Sequence, residues 1–136
     1  MRVLFDTNVI IDAAVPDRAH HRVALQLLSR VDRGQITGLV TATSIATCWY
    51  VATAHYGVDP RPLFTALEET FTFAPMTRAA LRVALEAPGS TDFEDLYLAA
   101  AGAEAGAACV VTRNEADFTQ SRLTAYHPDE LVAMLL

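Results

Sequence analysis

Lysine is missing from this 136-residue chain: all ten of its basic residues are arginines. The absence removes several chemistries at once, because no lysine is present to form a Schiff base, to ligate phosphate in a P-loop or to balance a phosphoaspartate. Cysteine is almost as scarce. Cys48 and Cys109 stand too far apart for a zinc-binding pattern or a disulfide framework, and both lie in apolar stretches, where a free thiol behaves as a small hydrophobic side chain. No apolar run approaches the ~18 residues of a membrane span, so no membrane association is expected. The opening MRVLF does not make the basic, apolar and small-residue pattern of a secretory signal, and a cytoplasmic location is expected. Positive charge is outnumbered. With a net charge of −6 and a pI near 5.0, attraction to nucleic acid over the whole surface is excluded, and any such binding needs a local basic patch or bound cations.

What is present describes a folded chain: 52% apolar residues against 19% charged ones exclude a disordered segment. There are no repeats, low-complexity tracts or linkers, so one domain spanning residues 1–136 is expected, long enough to bury a core without staples. RVLF (2–5) reads as a short strand, and TNVIIDAAV as a helix that Pro16 ends. HHRVALQLLSRVDRG carries a helical stripe at Val23, Leu27, Leu28 and Val31 with Gly34 beyond its end, and its His20 and His21 are expected in solvent. GLVTA is a second strand. ATSIATCWYVATAHYG reads as a buried helix with Trp49 and Tyr50 as core or interface aromatics and His55 favouring its dipole end. RPLFTALEETF is a helix, FTFAP a short strand, and TRAALRVALEA a helix ended by Pro88 and Gly89. A helix from Asp92 to about Ala105, the strand ACVVT, the loop RNEADF and a last helix after Pro128 complete the chain. Short β-rich runs alternating with helices predict an α/β layer structure around a mostly parallel sheet.

One stretch, STDFEDLYLAAAG (90–102), crowds Asp92, Glu94 and Asp95 ahead of an apolar, alanine-rich run. The simplest reading is capping: Thr91 or Asp92 closes a helix start, and acids in the first turn face its dipole and its unpaired amides. A second reading follows from topology. Ligands of open parallel sheets bind outside the carboxyl ends of the strands. Asp6 directly follows the first strand, Asn114 and Asp117 follow the strand that ends at Thr112, and the acidic helix feeds that same strand. Right-handed crossovers then place Asp6, Asp95 and Asp117 on one rim. Asp92 and Asp95, one turn apart, share a helix face, from which Glu94 is rotated away. Converging carboxylates raise one another's pKa unless a cation neutralises them. Mg2+ or Mn2+ suits such oxygen donors and suits phosphodiester hydrolysis.

Three segments, FDTNVIID, DFEDLYLAAAGAEAGA and VVTRNEADF, in this order and spread over nearly the whole chain, resemble the strongest motifs of the PIN-domain family, in particular the toxin ribonucleases called VapC. The resemblance implies a three-layer α/β/α sandwich, divalent-cation-dependent cleavage of RNA, homodimers and inhibition by a cognate antitoxin protein. Carried over by position, it makes Asp6 the first metal ligand, Asp95 the second and Asp117 the last acid. Asn8 shapes the first loop, Thr112 and Asn114 shape the last, and Asp92 is a helper. One position departs from the family pattern: the glutamate expected early in the third helix falls on Thr47, and no glutamate precedes Glu68.

A threonine hydroxyl carries no negative charge, so a second cation is held weakly there. The alternative is therefore a protein-binding module with a weakened site. An aspartyl-nucleophile phosphatase, suggested by Asp6 and Asn8, normally relies on a lysine and ranks low. Arg18, Arg22, Arg30 and Arg33 are placed to guide an RNA backbone, although arginines on the polar side of helices more often form a solvated face.

Overall fold

In the computed structural model, which describes residues 1–87, 89 and 92–136, the chain runs in alternating strands and helices. They are β1 (Arg2–Phe5), α1 (Thr7–Ala14), α2 (His21–Asp32), β2 (Thr37–Val40), α3 (Ala42–Tyr50), α4 (Arg61–Thr70) and β3 (Thr72–Phe73), followed by α5 (Arg78–Glu86), α6 (Phe93–Glu104), β4 (Cys109–Val111), β5 (Thr124–Tyr126) and α7 (Pro128–Met134). A π-helical turn (Val51–His55) extends α3, and a 3₁₀ turn (Glu115–Phe118) follows β4.

The five strands form one sheet in the order β3-β2-β1-β4-β5, every pair of neighbours parallel. Side chains alternate across it with period two. Val3, Phe5, Val40, Cys109 and Val111 enter one core with α1, α2, α3, α4 and α7, whereas Leu4, Leu39 and Val110 enter the other with Leu98 and Ala99 of α6. The result is three layers, as the α/β/α expectation required, and both cysteines are core residues. The physical reason is the turn in strand order. Right-handed crossovers from β1 to β2 to β3 keep their helices on one face, while the return from β3 to β4 carries α5 and α6 to the other. Each wholly buried Val or Leu contributes roughly 1.5–3 kcal/mol.

Local sequence explains the element ends. Asp6 caps α1 by accepting the Thr7 amide, and α1 stops before Pro16. Asp92 caps α6 by accepting the Glu94 amide, as the capping reading held, while Thr91 and Pro88 lie outside the described residues. Gly102 is required by proximity: a Cβ there would lie 2.7 Å from Leu4 Cδ2, so α6 packs directly on β1.

Three expectations need correction. β5 was not anticipated; its TAY segment is too short and too mixed to declare itself, and it is a strand because β4 offers it a partner edge. Of the core and interface readings given to Trp49 and Tyr50, the core one is wrong, with 40% and 62% of their surfaces exposed. His21 is not simply solvated, since its Nδ1 lies 2.8 Å from the Asp12 carbonyl oxygen. Among the described residues, no helix is long and apolar enough to cross a membrane.

Candidate active site

Strand order reverses between β1, which leads to β2 on one side, and its other neighbour β4. The crevice at the carboxyl ends of such a strand pair is the usual ligand position in an open α/β sheet. Asp6 stands there, its backbone amide continuing the ladder by donating to the Val111 carbonyl at 3.0 Å. Only 5% of Asp6 is exposed. Its Oδ1 accepts the Thr7 amide at 2.8 Å, and its Oδ2 accepts the Thr112 hydroxyl at 2.7 Å and the Asn8 side-chain amide at 3.0 Å. Asn8 also donates to Thr112 Oγ1 at 3.4 Å and accepts the Arg113 amide at 3.3 Å, so one side chain ties the loop after β1 to the loop after β4.

The loop after β4 is held at both ends. Thr112 Oγ1 accepts the Asn114 amide, the Asn114 carbonyl accepts the Asp117 amide, and Phe118 is buried in the core beside α6. Asp117 is half-buried between these anchors, and Asn114 is exposed. Asp95 lies half-buried in the first turn of α6, with Asp92 and Glu94 exposed beside it.

These acids share one electrostatic field. Burial pushes the Asp6 carboxyl above its ordinary value, against the Thr112 hydroxyl and the Thr7 amide, which pull it down, and Glu94 and Asp117 add to the rise. Asp95 is pushed up to about 7, first by burial, then by the charges of Asp6, Asp92, Asp117 and Glu94. Glu94 was set aside in the sequence as rotated away, yet its charge acts on both. Field range exceeds contact range, and helix-face geometry judges only the latter.

The set consists of hard carboxylate oxygens whose repulsion a divalent cation relieves, and in that chemistry it fits Mg2+ or Mn2+. Among the described residues, no three His, Cys, Asp or Glu side chains are set closely enough to cage an ion by themselves. Magnesium commonly takes one or two carboxylates and completes its shell with water and phosphate oxygens. Thr47, half-buried on α3, brings no charge to the rim.

Two groups of residues escaped the sequence reading. Thr7, Thr41 and Ser44 are buried and joined hydroxyl to hydroxyl, with Thr7 Oγ1 2.7 Å from Ser44 Oγ and Thr41 Oγ1 donating to Ser44 Oγ at 3.3 Å, which ties the carboxyl ends of β1 and β2. Asp12, 1% exposed, binds Arg18 Nε and Arg113 Nε, each at 2.6 Å. The separate groove of about 370 Å³ between α5 and α6, lined by alanines with Val83, Leu96 and Arg122, holds none of the rim acids.

The PIN-domain family model matches residues 2–116. The chain belongs to the PIN-domain family. The match takes in the loop after β1, the start of α6 and the loop after β4 as far as Ala116, one residue before Asp117, and it is the family that the three motifs resembled. Among solved structures, this PIN domain is similar to one described as VapBC2 from Rickettsia felis bound to a DNA fragment from their promoter. The two share 15% identity, with 93% of this chain and 98% of that one covered and a TM-score of 0.62, a likeness of fold. Comparison with curated proteins yields no match. Inside this PIN domain the Asn8–Asp6–Thr112 network gives one carboxylate a fixed orientation, and the charges of Glu94, at the start of α6, and Asp117, after β4, act on it.

Proposed function

We propose that this PIN domain is a divalent-metal-dependent endoribonuclease, the toxin of a toxin–antitoxin pair acting in the cytoplasm. The observation that supports it best is the rim itself. Asp6, Asp95 and Asp117 come from three elements; the Asp117 charge helps to push up both Asp6 and Asp95, and Asp6 acts on Asp95 as well, an arrangement unfavourable without a bound cation. Asp6, Asp95 and Asp117 are the residues to hold Mg2+ or Mn2+. A divalent ion, when bound, lowers the pKa of the attacking water and neutralises phosphate charge. Thr112 and Asn8 orient Asp6, and the doubly anchored loop after β4 carries Asp117 to the same rim. Asp92 caps the helix that presents Asp95 and adds to the negative field, with Asn114 shaping the turn before Asp117.

The partners proposed are an RNA substrate, a second copy of the chain and a cognate antitoxin that offers an arginine to the carboxylates. The test is incubation of purified protein with RNA and manganese beside Asp6→Asn. Cleavage by the parent should fall at least 100-fold in the variant, a loss of order 2.7 kcal/mol in transition-state stabilisation. Equal cleavage by both defeats the assignment. Thr47, with no closed three-ligand cage among the described residues, favours one second reading, a protein-binding module with a weakened site. That reading expects no manganese-dependent rise in melting temperature and tight binding to a small partner protein.

A further inference from the structure

Four arginines of the early helices were candidates to guide RNA, and the structure separates them. Arg22 and Arg33 are solvated, and Arg30 bonds Gln35 and the Leu135 carbonyl. Arg18 goes to Asp12, and so does Arg113, which sequence reading had passed over. Asp12 Oδ1 accepts Arg18 Nε at 2.6 Å and Arg113 Nη2 at 3.3 Å, and its Oδ2 accepts Arg113 Nε at 2.6 Å. One carboxylate, 2% exposed, therefore serves two guanidiniums that keep 20% and 23% of their side-chain surface in solvent. Two positive charges against one negative leave an excess of +1 in a protein whose total is −6.

The excess sits beside the acids. Arg113 directly follows Thr112, whose hydroxyl donates to Asp6, and the Arg113 amide donates to Asn8. His21, at the start of α2, meets the Asp12 carbonyl, and its neighbour His20 packs 5.7 Å from His127, which follows β5 at the sheet's carboxyl edge. The pair thus lies on the rim that carries Asp6. Arg18 Nη1 donates to the Tyr56 hydroxyl at 3.1 Å, and its guanidinium lies 5.8 Å from the centre of the Tyr56 ring, which is 42% exposed.

We propose that Arg18 and Arg113, with the Tyr56 ring beside them, form an anchor for the phosphate backbone of a single-stranded RNA, next to the phosphate presented to the carboxylates. The inference rests on the ribonuclease reading and deepens it. A polyanion approaching an acidic rim is repelled unless fixed positive charge meets it at the edge, and arginine suits phosphate because its planar fork offers paired donors. Backbone contacts of this kind position a strand without reading its sequence, and an exposed aromatic ring accepts any base by stacking. Asp12 holds both guanidiniums in place before the strand arrives, which lowers the entropy cost of ordering them.

The test measures binding of a labelled single-stranded oligoribonucleotide across a salt series, with Asp6→Asn as the parent background so that the strand stays intact. Arg18→Gln is the main variant, because Arg113 still neutralises Asp12 and the fold is kept. Arg18→Gln should weaken binding about 3- to 10-fold, and the slope of log K against log salt should become shallower by about 0.7, the loss of one phosphate contact on a single strand. Arg18→Lys should restore most of that slope, and Tyr56→Ala should weaken binding at unchanged slope. A purely structural Arg18 leaves the slope as in the parent, which overturns the anchor, as does a parent that ignores RNA or takes up a polyglutamate peptide through Arg18 instead. Cleavage is scored separately with Asp6 intact. Cleavage with unaltered slopes removes the anchor alone, whereas an Arg18-dependent slope without cleavage keeps the RNA site and removes the nuclease reading.

Discussion

Asp12 shows what one buried side chain does for the loops around a site. Its carboxylate has no water-facing alternative, and its two oxygens join α1 to Arg18 and to the segment that carries Thr112, Asn114 and Asp117. Replacing it by asparagine leaves two guanidiniums facing a neutral amide. Breaking a wholly buried pair costs about 3–5 kcal/mol; because both arginines reach solvent, about 2–3 kcal/mol is expected here. Urea unfolding of Asp12→Asn measures it, and a change under about 0.5 kcal/mol shows that the clamp carries no weight. Asp12 stands in plain view inside FDTNVIID, but its partners are 6 and 101 positions away along the chain, and no local pattern announces them. Asp6 was legible for the opposite reason: its role follows from standing at the end of a strand and the start of a helix, both local facts.

The element that most constrains the site is α6. Its first turn presents Asp95 under the Asp92 cap, and its later turns press small residues onto the sheet, with Gly102 against Leu4. Gly102→Val should lift α6 from β1 and lower stability by about 1–3 kcal/mol, the usual range for overpacking. Thermal or urea unfolding reads this directly, and an unchanged midpoint would refute so close a contact. The alanine-rich composition of this helix made its burial foreseeable, and Asp92 made its start foreseeable. The exposure of Trp49 and Tyr50 at the end of α3 was not foreseeable, because whether an aromatic is covered depends on which element packs over that part of the helix and not on the residue type. β5 was hidden for a related reason, being defined by hydrogen bonds to β4 rather than by its own three residues.

At the scale of the molecule, the charges of acids from three elements converge on Asp95. Asp95 holds its proton to about pH 7 in the folded chain, against 3.8 for an ordinary aspartate. Between those values the unfolded chain gives up that proton first. The stabilisation from keeping Asp95 protonated is complete below 3.8 and is lost as pH rises through about 7. In chelator, the melting temperature should therefore fall from weakly acidic to neutral pH, and Asp95→Asn should flatten that fall. Manganese at neutral pH should raise the melting temperature of the parent and leave Asp6→Asn where it was. A pH profile of Asp95→Asn identical to that of the parent contradicts the raised carboxyl.

The amino-acid sequence by itself determined the layered parallel α/β architecture, the two core cysteines and the expectation that Asp6, Asp95 and Asp117 gather at one edge, because strand period, capping residues and strand-to-helix order are properties of short windows, and the resemblance of three motifs pointed to the family. Tertiary structure alone decided that Glu94 acts on Asp6 and Asp95, that Thr7, Thr41 and Ser44 join two strand ends, and that Arg18 and Arg113 share Asp12 and leave a positive charge beside the acids. Coulomb forces and buried hydrogen bonds depend on distance in space, and that distance is set only when every crossover of the sheet has closed.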